Sequence, residues 1–301
     1  MDYAIGIDLG GTNIKSAAVT REGELLERSS AETSDDGSGA WAERVRDEVE
    51  RLQGRHGHAL AVGIATPGLP APGGRSIASV AGRLRQLHGL DWTEFLRAPE
   101  RVPVINDAQA ALLGEAWLGA AAGRRNVLML TLGTGVGGAI MSEGRLLRGH
   151  LGRAGEVGHI SLQFDAPSDS LGIPGSLETA IGNHTVAARS NGRFSTTREL
   201  VEAHRAGDKE ATAVWTRSVH QLACAVASLI NIVDPELIII GGGIAAAGAD
   251  LFKPLERYLD DMEWRPYGIN IPILPAELGG FAGAIGAARN ALMAREGGES
   301  R

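Results

Sequence analysis

The sequence predicts an α/β protein built from two related halves, and three observations lead there. A short glycine-rich pattern is written twice, once over residues 7–28 and again over 130–148. Apolar runs of strand length alternate with stretches of helical periodicity along the chain, the pattern of an α/β class. The 301 residues suffice for two domains, each with its own core.

Each glycine-rich copy reads as strand, tight turn, strand, tight turn, strand, the third runs being Leu25–Leu26 and Leu146–Leu147. After the first copy, Thr33–Gly39 is a polar loop. Trp41, Val45, Val49 and Leu52 then recur at helical spacing. Ala59–Ala65 reads as a buried strand ending in the turn Thr66-Pro67-Gly68, and residues 70–90, rich in Gly, Pro and Arg, as an excursion over a cleft. The strand Val102–Ile105 delivers Asn106-Asp107 to a helix ending near Gly119. The second half, from Ala120, runs through its own hairpin and a loop-rich stretch to Gly175. Ser176 is placed to cap a helix over Leu177–Arg189. Helices are expected over 197–204, 208–232, 249–262 and 281–295, and strands over 237–240 and 269–274. The expected domains are 1–119, with the last helix (281–301) packing back on it, and 120–280.

An apolar content of 44% and a charged content of 22% are ordinary for a soluble globular protein. The formal charge of −7 argues against nucleic acid as a partner, and no apolar stretch is long enough to cross a membrane. The single cysteine, Cys224, excludes an intramolecular disulfide and suits a reducing cytoplasm; it reads as a small buried hydrophobe on a helix. No targeting segment is visible.

Turns such as Gly10-Gly11 and Gly133/Gly135 make concave nests of N–H groups suited to phosphate. Two of them on matching sheets suggest a clamp on one polyphosphate, with Asp8 and Thr12 flanking the first. Gly133, Gly135 and Gly138 satisfy the dinucleotide pattern G-x-G-x-x-G, but residues 139–144 read as strand and turn where that fingerprint needs a helix. The P-loop pattern is absent.

Asp8-Leu9-Gly10-Gly11-Thr12, Asn106-Asp107, Gly133 to Gly138, Glu156-Val157-Gly158-His159 and Gly241-Gly242-Gly243 stand in the order seen in the ROK family, which this chain resembles over nearly its whole length. That family comprises bacterial sugar kinases and related repressors. The resemblance implies two actin/hexokinase-like (ribonuclease H-like) α/β domains flanking a cleft. It implies ATP held by Gly10, Gly11, Thr12 and Asn13 on one side, by Gly133, Thr134, Gly135, Gly137 and Gly138 on the other, and by Gly242 and Gly243 at the adenosine end. Asp8 would hold Mg²⁺ through water. Asp107 would be the base that takes the proton of the attacking hydroxyl, as phosphoryl transfer requires. The sugar would meet Thr66, Pro67, Gly68, Asn106, Asp107, Glu156, His159 and Glu178, carboxylates being good acceptors for paired hydroxyls. Asn106-Asp107 is also a good helix cap, and Glu178 suits a first helical turn. A homodimer is expected by the same resemblance.

Two departures stand out. Family kinases commonly carry three cysteines that join the preceding histidine on a structural zinc; here those places hold Asp169, Leu171 and Ser176, and no structural zinc is expected. The family's Asn-Leu before the cleft loop is Arg83-Leu84, which leaves the sugar open. The expected activity is phosphorylation of a hexose hydroxyl, the 6-hydroxyl first among them. N-acetylmannosamine, fructose, allose or a cyclitol are alternative substrates, and polyphosphate an alternative donor. A sugar-responsive repressor is the rival of another class; its DNA-binding module would precede the first glycine turn, where only seven residues stand before Asp8.

Overall fold

The computed structural model describes residues 2–80 and 84–298. In chain order the elements are β1 (Tyr3–Leu9), β2 (Asn13–Thr20), β3 (Leu25–Glu32), α1 (Trp41–His56), β4 (Ala61–Thr66), β5 (Leu69–Pro70), β6 (Ile77–Ser79), α2 (Trp92–Phe95), β7 (Val104–Asn106) and α3 (Asp107–Leu118). There follow β8 (Val127–Leu132), β9 (Val136–Ser142), β10 (Arg145–Leu146), α4 (Leu177–Ile181), α5 (Val186–Arg189), α6 (Thr197–Arg205) and α7 (Lys209–Val233). Then come β11 (Leu237–Gly241), α8 (Ala249–Met262), β12 (Ile273–Pro275) and α9 (Ala282–Gly298). The chain divides into two compact units. One runs to Gly123 and also takes Arg148–Ala154 and the segment from Glu277 onward; the other holds Arg124–Leu147 and Gly155–Ala276.

The first unit is a sheet in the order β3-β2-β1-β4-β7, with β1, β2 and β3 antiparallel and β4 and β7 parallel to β1. Alternation along β1 decides its two faces. Tyr3, Ile5, Ile7 and Leu9 join Trp41, Val45, Val49 and Leu52 of α1 in one core. Between them stand Ala4, Gly6 and Asp8. Ala4 packs with Ala284, Ile285 and Ala288 of α9, and a Cβ on Gly6 would strike the carbonyl oxygen of Ala284. The last helix therefore lies directly on the strand that ends in Asp8. Its crossing with α3 is equally close, since a Cβ on Gly286 would strike the Ala110 carbonyl; filling such a contact costs roughly 1–3 kcal/mol or more.

The second unit repeats the plan as β10-β9-β8-β11-β12, again three antiparallel strands followed by parallel ones. Its core is larger in grain. Leu128, Leu130, Leu132, Ile238 and Ile240 pack against Trp215, Val219, Leu222 and Val226 of α7 and Leu251, Leu255 and Leu259 of α8. The Trp215 indole N–H donates to the Asp250 carbonyl at 2.9 Å, which satisfies its one polar atom.

Three local expectations change. The helix expected over Leu177–Arg189 is broken at Gly182, whose backbone is extended (φ −56°, ψ 145°), because the next two N–H groups leave the helix for other carbonyls. The last strand shrinks to Ile273–Pro275: the Ile269 N–H goes to the Pro266 carbonyl and the Ile271 N–H to the Glu263 carboxylate, and Pro272 has no N–H to give a ladder. Cys224 is exposed, since it falls off the buried stripe of α7 that runs through Leu222, Ala223, Ala225 and Val226.

Candidate active site

In the first unit the turn after β1 closes when the Gly10 N–H donates to the Asn13 carbonyl at 3.0 Å. Buried Thr33 fastens its outer side, the hydroxyl donating to the Gly10 carbonyl at 2.6 Å and the N–H to the Thr12 carbonyl at 2.8 Å. With those carbonyls turned toward Thr33, Thr12 and Asn13 stand exposed and Gly11 half-buried.

Asp8 lies on the α9 face of β1. A Cβ on Gly283, in the first turn of α9, would come within 2.7 Å of its carboxyl. Burial first and the nearby Asp107 second push the Asp8 carboxyl up to about 7, against Lys15, its register partner on β2, which lowers it. The Lys15 ammonium reaches the same helix end, beside Gly280.

Asp107 opens α3, and Asn106 caps that helix by accepting from the N–H groups of Ala108 (2.9 Å) and Gln109 (3.2 Å). The Asn106 amide also donates to the Gly68 carbonyl at 3.3 Å and hydrogen-bonds the Asp107 carboxyl. One amide thus ties the Thr66-Pro67-Gly68 turn to Asp107, and its bonding capacity is engaged within the protein. Asp107 is open to solvent as a residue, yet atoms crowd its carboxyl. That crowding raises its pKa, against the Ala108 N–H and Asn106, which lower it. Thr66 pairs with Asn106 in register and Asp8 with Ala65, so Asp8, Thr66–Gly68, Asn106 and Asp107 gather at one end of one sheet.

In the second unit the turn after β8 closes with the Gly133 N–H on the Gly135 carbonyl at 2.9 Å. Its fastening comes from the break after α4. The Asn183 N–H donates to the Gly133 carbonyl at 2.9 Å, the His184 N–H to the Thr134 carbonyl at 3.0 Å, and His184 Nδ1 lies 2.7 Å from that same oxygen. Arg189 holds the break from behind, donating to the Gly182 carbonyl (2.9 Å), the Thr185 hydroxyl (3.2 Å) and the Ser218 hydroxyl (2.6 Å); burial lowers its pKa to about 10.

Glu178, in the first turn of α4, accepts from the Val136 N–H at 3.0 Å. A Cβ on Gly135 would overlap that carboxylate. Gly138 packs beneath Val157, within the short turn that carries Glu156 and His159. His159 Nδ1 lies 2.8 Å from the Asp169 carboxylate. Gly242, at φ +87°, lies where a Cβ would strike the Leu132 carbonyl just before the turn, a position open only to glycine; Gly243 beside it has open space.

The structure thus brings the expected residues into two groups, one per unit. Sequence reasoning missed Thr33, Lys15, Asp169, His184 and Arg189. Only Asp169 carried a signal, as a polar residue at a place where relatives have cysteine. Arg83 lies outside the described residues.

The sequence profile of the ROK family matches residues 4–294. The chain belongs to the ROK family. A glucokinase from Halalkalibacterium halodurans is 32% identical, the match covering 94% of this chain and 93% of that one. The crystal structure of a ROK hexokinase from Thermus thermophilus is similar with a TM-score of 0.83 at 31% identity, covering 98% and 99% of the two chains. A ROK family glucokinase from Streptomyces griseus, in complex with glucose and AMPPNP, gives 0.80 at 27%, covering 97% and 99%. The α/β fold of this ROK protein is accordingly the actin/hexokinase-like one, with two domains.

The residues do not fit the zinc that many ROK kinases carry. Leu171 cannot ligate, the Asp169 carboxylate is taken up by His159 and two backbone N–H groups, and no group of three or more His, Cys, Asp or Glu suited to a metal occurs among the described residues. No helix among those residues is long and apolar enough to cross a membrane.

Proposed function

We propose that this ROK protein is an ATP-dependent sugar kinase that transfers the γ-phosphoryl group to the 6-hydroxyl of a hexose, glucose first. The observation that carries it is Asp107: a carboxyl with raised pKa, fixed by a helix cap and tied through Asn106 to the turn expected to hold the sugar. A general base must be basic enough to accept a hydroxyl proton, and the crowding of the Asp107 carboxyl moves it in that direction.

In this reading the N–H groups of Gly10 to Asn13 and of Gly133 to Gly138 hold the phosphates, and Gly242-Gly243 face adenosine. Thr66–Gly68, Glu156, His159 and Glu178 orient the sugar, and Asn106 holds Asp107 and the Gly68 turn in place. Mg²⁺ fits here: burial and the neighbouring Asp107 raise the cost of ionising Asp8, which a divalent cation relieves. With no acidic cage among the described residues, Asp8 would hold it through water beside the phosphates, the usual arrangement for this ion. We take the two compact units as the two domains, and extend the reading to a homodimer in the cytoplasm, on the family resemblance and the single cysteine.

A screen over glucose, mannose, N-acetylmannosamine, fructose, allose and cyclitols, reading coupled ADP release with ATP and sugar-phosphate formation with polyphosphate, tests this. Glucose-dependent ADP release with glucose 6-phosphate as product is expected. No turnover on any sugar would overturn the kinase, and turnover on another sugar alone would move the substrate.

A further inference from the structure

The loop that bears cysteines in zinc-carrying relatives is organised here around a single carboxylate. The Asp169 side chain is fully buried. One oxygen faces His159 Nδ1 at 2.8 Å; the other accepts from the N–H groups of Leu171 (2.9 Å) and Ile173 (3.0 Å). The Ser176 hydroxyl also bonds this carboxyl, and Ser176 is itself the buried cap of α4, the helix that carries Glu178.

We propose that Asp169 is the positioning residue of the sugar half-site in this unit, a carboxylate standing where relatives use a metal to join His159 to the helix of Glu178. The proposal rests on the reading of His159 and Glu178 as sugar contacts. An ionised carboxylate only accepts, so His159 carries its proton on Nδ1 and offers Nε2 to its other neighbours. The ring is one-fifth exposed while its partner is not, so the outward nitrogen is the one a hydroxyl can reach. Four donors on one carboxyl hold its pKa down to about 2, so the carboxylate acceptor persists through the whole working pH range. The cross-link needs no thiolate and no metal.

The test uses the full chain. In Asp169→Asn the oxygen that serves Leu171 and Ile173 is retained, but an amide N–H₂ confronts the ring and reverses its tautomer. The KM for the accepted sugar is expected to rise about tenfold, as for a lost charged hydrogen bond, while the KM for ATP and kcat stay within about twofold, because the loss is of uniform sugar binding. Nitrogen chemical shifts of His159 should report Nδ1–H in the wild type and Nε2–H in the variant. An Nε2–H tautomer in the wild type overturns the proposal without any variant having to fold. If His159→Ala raises the sugar KM and Asp169→Asn does not, the sugar contact stands and the role of Asp169 falls. If His159→Ala leaves the sugar KM unchanged, the reading of His159 fails and the proposal falls with it.

Discussion

The two glycine turns share a sequence pattern and a place at the head of a five-stranded sheet, yet they are completed by different partners. The first is fastened by Thr33 from the strand's own neighbourhood, and its acid, Asp8, sits one strand residue before it on the helix-facing side. The second is fastened by Asn183 and His184 from a broken helix, and a carboxylate, Glu178, occupies one of its N–H groups. A motif read as a phosphate nest is therefore, in its second copy, also the seat of a carboxylate expected to touch the sugar. Gly135 lacks a Cβ to the benefit of Glu178, whereas at Gly133 nothing stands within reach. Identical letters in the two turns answer to different neighbours.

The difference is open to attack by substitution. Gly135→Ala displaces the Glu178 carboxylate, so it should lower kcat/KM for the sugar roughly ten- to hundredfold, the range for a hydrogen bond to a charged group, with little loss of stability because the displaced group is the end of a flexible side chain. Glu178→Ala should do the same, and the double variant should lose no more than either alone, since residues in contact are not additive. Because Glu178 also holds Val136, the KM for ATP should move in Glu178→Ala and not in Glu156→Ala. Steady-state kinetics of the four variants decide this; additive losses would return Gly135 to a purely phosphate-facing role.

The acid of the first turn gives a pH signature that the second lacks. Asp8 goes from an ordinary 3.8 to about 7 on folding. The native state thus keeps a proton that the unfolded chain has released, and stability falls as pH rises from about 4 to about 7. The loss amounts to roughly a few kcal/mol at most. Denaturant midpoints of the nucleotide-free protein at pH 5 and pH 8 should show this slope, and Asp8→Asn should reduce it to the part that Asp107, also raised by burial, contributes. An equal slope in the variant would place the effect elsewhere.

Thr33→Ala is the mildest change. It removes the hydroxyl on Gly10 and leaves the N–H on Thr12, so stability should drop by about 1 kcal/mol. The KM for ATP should rise only slightly, whereas His184→Ala, which loses a second-turn anchor, should raise it more. Equal effects would erase the distinction between the turns.

Most of the fold was legible because it is written in local signals. The duplicated apolar-glycine pattern gave both hairpins, the 3.6-residue spacing of Trp41, Val45, Val49 and Leu52 gave α1, and Asn106 announced the start of α3. What escaped depends on partners distant in sequence. Nothing local breaks a helix at Gly182 strongly enough to show that the next N–H groups belong to Gly133 and Thr134. The residue type at 33 gives no hint that its hydroxyl closes a turn 23 residues earlier. Of the site, motif letters gave candidate positions, but the double duty of Asn106 as cap and as tie to Gly68 follows only from the sheet register.

The central claim is that Asp107 is the base of a sugar kinase, and one variant tests it most directly. Asp107→Asn keeps the shape of the side chain and the oxygen that accepts from Ala108 at 2.8 Å, but cannot take a proton. Turnover of the accepted sugar should fall roughly 10²- to 10⁴-fold, while calorimetry finds ATP and sugar bound with affinities close to wild type. A variant that retains more than about a tenth of the wild-type rate would contradict the claim and leave Asp107 as the first residue of a helix.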